Sequence, residues 1–162
     1  MNAPAMADAY VDSCIVLSLF LGDSGYPAAE QWLCNQGQTP LWVSHWMLLE
    51  FAGVVALCVR RGQISPERAT AMHSEFECFR QERLQLLEPR GIDFLQARQW
   101  LQEGQIPALR SGDALHLAIA MREKLTLTSA DKALIQAADA HGLPNQWVSE
   151  AGDSMKLPTD SA

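Results

Sequence analysis

The stretch Ala9-Tyr10-Val11-Asp12-Ser13-Cys14-Ile15-Val16-Leu17-Ser18-Leu19-Phe20-Leu21 sets how the rest of the chain is read. Ala9 to Val11 predicts a short buried strand ending at Asp12, and the apolar run Cys14 to Leu21 predicts a helix directly behind it. Gly22-Asp23-Ser24-Gly25 breaks that helix. A strand that runs straight into a helix opens a β-α unit, and parallel strands require such crossovers.

The rhythm continues downstream. A helix is expected from about Pro27 to Asn35, then a strand over Leu41-Trp42-Val43 after the Thr39-Pro40 turn. Ser44 is placed to cap the next helix, in which Met47, Leu48, Phe51, Val54, Val55, Leu57 and Cys58 recur at helical spacing up to Arg60-Arg61-Gly62. Ser65-Pro66-Glu67 has an N-cap residue, a proline at the first helical position and an acid in the first turn, so a helix should run from there to about Glu82. Leu84 to Leu87 reads as a strand, Phe94 to Leu101 as a helix ending at Gly104, and Ile106 to Arg110 as a loop. Ser111 should cap a helix from about Gly112 to Arg122, followed by a strand over Leu125 to Thr128. Asp131 begins a last helix reaching His141-Gly142, Gln146 to Val148 makes a final strand, and residues 151–162 read as a frayed tail after a single domain over 1–150. The fold class expected is α/β: a mainly parallel sheet of about five strands between two layers of helices, with ligands beyond the carboxyl ends of the strands.

Composition sets bounds on function. The 162 residues and 17.9 kDa suit one domain that buries its core without disulfides, and a hydrophobic fraction of 48% with 19% charged residues is that of a folded protein. Cys14, Cys34, Cys58 and Cys78 form no Cys-x-x-Cys pair, which excludes a zinc knuckle or redox motif and predicts buried free thiols in a reducing compartment. The Cys14 to Leu21 run is too short to span a bilayer, and the first basic residue is Arg60, so neither a membrane span nor a secretory signal is expected and the protein is assigned to the cytoplasm. Met6 offers an alternative start to Met1. A net charge of −7 argues against non-specific coating of nucleic acid, although arginines from Arg60 to Arg110 leave room for a local basic surface.

Three aspartates stand where a parallel sheet places its ligands. Asp12 ends the first strand, Asp131 follows the strand over Leu125 to Thr128, and Asp113 opens a helix. Glu50 interrupts an otherwise apolar helical stretch, where a carboxylate is costly unless paired or bound to metal. Four such groups together would suit Mg²⁺ or Mn²⁺, since hard cations take carboxylate oxygens, water and substrate phosphate oxygens. Two ions about 3.5–4 Å apart can activate water and stabilise the leaving oxygen of a phosphodiester. Asp113 and Asp131 also fit a plainer reading as first-turn acids favoured by the helix dipole.

The local sequences go further. Tyr10-Val11-Asp12-Ser13-Cys14, Ser44-His45-Trp46-Met47-Leu48-Leu49-Glu50-Phe51-Ala52, Leu109-Arg110-Ser111-Gly112-Asp113-Ala114-Leu115-His116 and Leu127-Thr128-Ser129-Ala130-Asp131-Lys132 resemble, in order, the four acidic motifs of PIN-domain nucleases. The resemblance runs from Ala9 to about Val148 and is nearest to small VapC-type toxins of toxin–antitoxin pairs. It implies a PIN-like three-layer fold and a Mg²⁺- or Mn²⁺-dependent endoribonuclease that acts on RNA. It implies an antitoxin partner and a homodimer, and it assigns Asp12, Glu50, Asp113 and Asp131 as catalytic metal ligands, with Ser13 and Ser129 orienting carboxylates or water. The alternative is a catalytically silent PIN-like binding module.

Other residues admit two readings each. Arg110 could neutralise a substrate phosphate or pair with a carboxylate of the cluster. His116 lies three residues after Asp113 on one helix face, but hard cations prefer oxygen, so a helix-packing histidine is the favoured reading. His45 and His141 are expected in loops or facing solvent, Arg80 and Arg83 on a solvated helix face, and Trp32 and Trp46 in burial or partner contact. An aspartyl-phosphatase mechanism is disfavoured because Cys14 stands where the second aspartate would be.

Overall fold

Side chains of a strand alternate between faces, and the first strand shows what that does here. Ala9 and Val11 point into one hydrophobic cluster and Tyr10 into another, so a single buried strand separates two cores. The computed structural model describes residues 8–106 and 108–149. Among these, the order is β1 (Ala9–Val11), α1 (Ser13–Leu21), α2 (Tyr26–Asn35), β2 (Leu41–Ser44), α3 (His45–Arg60) and α4 (Pro66–Arg83). There follow β3 (Leu84–Leu87), α5 (Gly91–Glu103), α6 (Ser111–Glu123), β4 (Thr126–Ser129), α7 (Lys132–Ala140) and β5 (Asn145–Trp147). The expected tail over 151–162 lies outside the described residues, as do Met1 and Met6.

The sheet has five strands in the order β3-β2-β1-β4-β5, and every pairing is parallel. Strand order therefore reverses at β1: the chain first steps outward through β2 and β3, then returns to place β4 on the other side. The gap beyond the carboxyl ends of β1 and β4 is the switch point, where a crevice opens because the flanking helices leave in opposite directions. The backbone N–H of Asp12 still bonds the carbonyl of Thr128 at 3.0 Å, so Asp12 sits at the lip of that crevice on the last rung of the ladder.

One face is packed by α1 to α4. Phe51 stacks on Phe76 with centroids 4.1 Å apart, and Phe20 meets both rings edge-on. The other face is packed by α5, α6 and α7, with Tyr10, Trp100, Leu117 and Leu134 in its core. α6 is buried without a break from Asp113 to Ala120, which makes it the most enclosed helix of the domain and a rigid platform for whatever it carries.

Local signals explain most element ends. Ser65 accepts a hydrogen bond from the Arg68 N–H at 3.0 Å with Pro66 at the first helical position, as the sequence pattern predicts. Gly22 ends α1 in the left-handed conformation with φ of 63°. Three details differ from the sequence reading. α5 begins at Gly91 rather than Phe94, because buried Asp93 accepts from the Arg90 N–H at 2.8 Å and from Arg122 Nε at 2.7 Å, a long-range pair that locks α5 to α6. Ser111 is already helical and Arg110 takes the N-cap position. Cys34 and Cys78 are exposed rather than buried, since α2 buries Ala29 and Trp32 and α4 buries Ala69, Met72 and Phe76, faces that turn both thiols outward. No helix among the described residues is long and apolar enough to cross a membrane.

Candidate active site

Asp12 occupies the N-cap position of α1, where an aspartate normally accepts from the first-turn N–H groups, yet it makes no such cap bond. Its carboxylate turns into the crevice instead, with 3% of the residue exposed. There Oδ2 accepts from the Ser129 hydroxyl at 2.7 Å and the Cys14 thiol at 3.0 Å, and Oδ1 accepts from Ser13 at 3.4 Å. A local preference broken at a buried acid marks a group held for some other use. Both hydroxyls singled out in the sequence, Ser13 and Ser129, thus lie against one carboxylate. Ser129 also accepts from the Asp131 N–H at 2.9 Å, tying the ends of β1 and α7 together.

Asp131 divides its carboxylate. Oδ1 caps α7 by accepting from the N–H groups of Ala133 and Leu134, and Oδ2 accepts from Arg110 at 2.8 Å. Arg110 Nε donates to Asp113 Oδ2 at 2.9 Å, so one guanidinium bridges two carboxylates. Of the two readings left open for Arg110, carboxylate pairing is the one this geometry contains. Burial, the largest influence, lifts the Asp113 carboxyl above its ordinary range even though Arg110 pulls it down.

Glu50 lies half-buried on α3, 66 residues in sequence from the side chain it meets, His116. His116 is wholly buried and holds Glu50 Oε2 at 2.5 Å from Nε2, with Asp12 Oδ1 at 3.5 Å from the same nitrogen. On its other side Nδ1 is 2.8 Å from the Tyr10 phenol, which donates to Ser44 Oγ at 2.9 Å. Tyr10, Ser44 and His116 thus form a buried hydrogen-bonded chain behind Glu50. Burial would lower the His116 pKa, but the bond to Glu50 and the charges of Asp12, Glu50 and Asp113 outweigh it and raise it. The favoured sequence reading of His116 as a packing residue is corrected here: it is buried, but both ring nitrogens are engaged, one by Glu50 of the acidic cluster and the other by Tyr10.

The four carboxylates line one groove of about 570 Å³. Leu17, Val54 and Leu57 form an apolar wall, and Arg60 and Arg110 border the same space. Trp46 also lines it, and its indole N–H is buried without a hydrogen-bond partner among the described residues. Among the described residues no three His, Cys, Asp or Glu side chains stand in a metal-ligating arrangement. Arg110 instead bridges Asp113 and Asp131, while His116 holds Glu50 and faces Asp12. Elsewhere, exposed His45 pairs with Glu88 at 3.1 Å, and His141 lies in the turn after α7 as expected, half-buried, with its ring tilted against Trp100 at a centroid distance of 4.6 Å.

A parallel three-layer domain with acidic side chains gathered at the switch point of its sheet defines a recognisable class of α/β protein. Residues 9–140 match the model of the PIN domain family, and the chain belongs to that family. No curated protein matches the chain. Solved structures similar to it include VapC20 of Mycobacterium tuberculosis, described as a sarcin–ricin loop cleaving toxin, with 18% identity, 80% of this chain and 95% of that chain covered, and a TM-score of 0.63. VapBC2 of Rickettsia felis, bound to a DNA fragment from its promoter, gives 14% identity, 87% and 98% coverage and a TM-score of 0.64. FitAcB of Neisseria gonorrhoeae gives 18%, 85% and 95%, and 0.63. At these identities the likeness is one of fold.

Proposed function

We propose that the protein is a divalent-metal-dependent endoribonuclease, the toxin of a type II toxin–antitoxin pair. The observation that carries this reading is that Asp12, Glu50, Asp113 and Asp131, from four separate elements of a PIN fold, line one groove. The donor set is all hard oxygen, which suits Mg²⁺ or Mn²⁺ in kind. Asp12, Glu50, Asp113 and Asp131 would hold the cation once Arg110 swings away. Its side chain is 72% exposed against 10% for Asp113, so the arginine is the partner free to leave. A bound cation would supply activation of water and charge stabilisation at the leaving oxygen. The chain's own residues do the rest: Ser129 and Ser13 orient Asp12, His116 fixes Glu50, and Arg60 and the released Arg110 offer guanidinium groups for phosphate oxygens.

The partner assignments rest on surface chemistry. The apolar wall of the groove would receive an antitoxin segment, and Ile92, Phe94, Leu95 and Leu101, all exposed on α5, are candidates for a homodimer contact. The structures of VapBC2 and of FitAB bound to DNA concern such systems and support this reading. Structured RNA should be cut in the presence of Mg²⁺ or Mn²⁺, with cleavage lost in EDTA and in Asp12→Asn. Activity surviving both treatments would exclude the proposal. The pairing of all four acids with Arg110, His116 or structural hydroxyls favours one second reading, a silent binding module. In that case calorimetric titration with Mn²⁺ would give no heat from this site.

A further inference from the structure

Glu50 is held from two sides. Its Oε2 is on His116, and a methyl group built on Gly112 would lie 2.8 Å from its Oε1, closer than carbon and oxygen can approach without displacement. The same methyl would stand 3.5 Å from the Trp46 indole, an ordinary contact. Gly112 is in the first turn of α6 and does not have a left-handed backbone, so the helix itself makes no demand for glycine there. The demand comes from the carboxylate. His116 lies one helical turn further along α6 at i+4, on the same face, so Gly112 and His116 together form a slot that admits Glu50 from α3.

We infer that Gly112 is a positioning residue: its missing side chain lets the Glu50 carboxylate enter the site and dock on His116, and any larger residue there pushes Glu50 aside without harming the fold. This rests on the proposed role of Glu50 in the nuclease site. The cost of a methyl falls on the end of a flexible side chain rather than on backbone, so the fold can absorb it. Glu50 is the group that must shift, and its bond to His116 shifts with it. Alanine is also the better helix former, so the substitution removes no helical stability.

Gly112→Ala, Glu50→Gln and the double variant test this. Gly112→Ala should fold, and it should melt no lower than Glu50→Gln, which weakens the same pair with His116. Its RNA cleavage should fall by roughly tenfold, because Glu50 Oε1 must retreat by a few tenths of an ångström to reach an ordinary contact. Mn²⁺ affinity measured by calorimetry should fall with it, and the double variant should lose no more than Glu50→Gln alone, because the added methyl acts through Glu50. Imidazole ¹H–¹⁵N spectra supply a readout independent of catalysis. The His116 Nε2 proton, shifted far downfield by its short bond to Glu50, should move upfield in Gly112→Ala. An unmoved His116 proton would overturn the inference whatever the activity, and so would wild-type cleavage in Gly112→Ala beside an inactive Glu50→Gln. A moved proton in a protein that neither binds Mn²⁺ nor cuts RNA would leave the slot standing and refute the nuclease reading instead.

Discussion

Removing Arg110 should tighten metal binding while impairing cleavage. In Arg110→Gln, Asp113 and Asp131 lose the guanidinium that bridges them at 2.9 and 2.8 Å. The Arg110 side chain is 72% exposed, so its pairs are solvated and screened rather than buried, and each contributes about 0.2–1 kcal/mol. A cation entering the groove must replace both. The two pairs together, about 1 kcal/mol, set against the tenfold change per 1.4 kcal/mol, give roughly five-fold tighter Mn²⁺ binding in the variant. Burial already raises the Asp113 carboxyl, and loss of Arg110 removes an influence that lowers it, so protons compete harder with the cation in the variant. Titration across a pH series separates that proton competition from metal binding itself. The assay is isothermal calorimetry with Mn²⁺ across a KCl series, and the difference between the two proteins should shrink as salt screens the exposed pairs. Cleavage should drop nonetheless if the freed guanidinium meets phosphate. Equal or weaker Mn²⁺ binding in Arg110→Gln would refute the displacement of Arg110 by metal.

Two further outcomes follow from the electrostatics. His116 has a folded pKa raised above its ordinary value of 6.5, so its contribution to stability is fully present below that value and is lost as pH rises through the folded pKa. Thermal melts of the metal-free protein should therefore decline from about pH 6.5 upward, with a flatter profile in Glu50→Gln; a wild-type profile that stays level or rises there contradicts a raised His116 pKa. Burial first, and then the charge of Asp12, push the Cys14 thiol well above its ordinary range, so it stays protonated and inert at neutral pH. Iodoacetamide followed by mass spectrometry should modify exposed Cys34 and Cys78 ahead of Cys14, and equal labelling rates would show the Asp12 pocket to be open.

Much of the architecture was legible residue by residue. Ser65-Pro66-Glu67 announces α4, the Ala9 to Leu21 stretch announces a strand and its following helix, and the four acids appear in order along the chain. Each of these signals is local, set by capping chemistry and by the period of the apolar residues. The exposure of Cys34 and Cys78 was also within reach, since the spacing of Ala69, Met72 and Phe76 already turns Cys78 off the buried face. His116 was not. Its i+3 relation to Asp113 is visible, but the histidine takes its meaning from Glu50, 66 residues earlier, and no local pattern reports that contact.

The sequence alone therefore determined the alternation of strands and helices, and with it the class of sheet, because propensity, capping and burial period act over a few residues. Only the tertiary structure decided which groups are neighbours: Ser129 on Asp12 across 117 residues, Arg110 between two aspartates, and Glu50 wedged between His116 and the bare Cα of Gly112. Electrostatic and steric forces act through space over a few ångströms, and the order of residues along a chain does not encode distance until the sheet has brought its ends together.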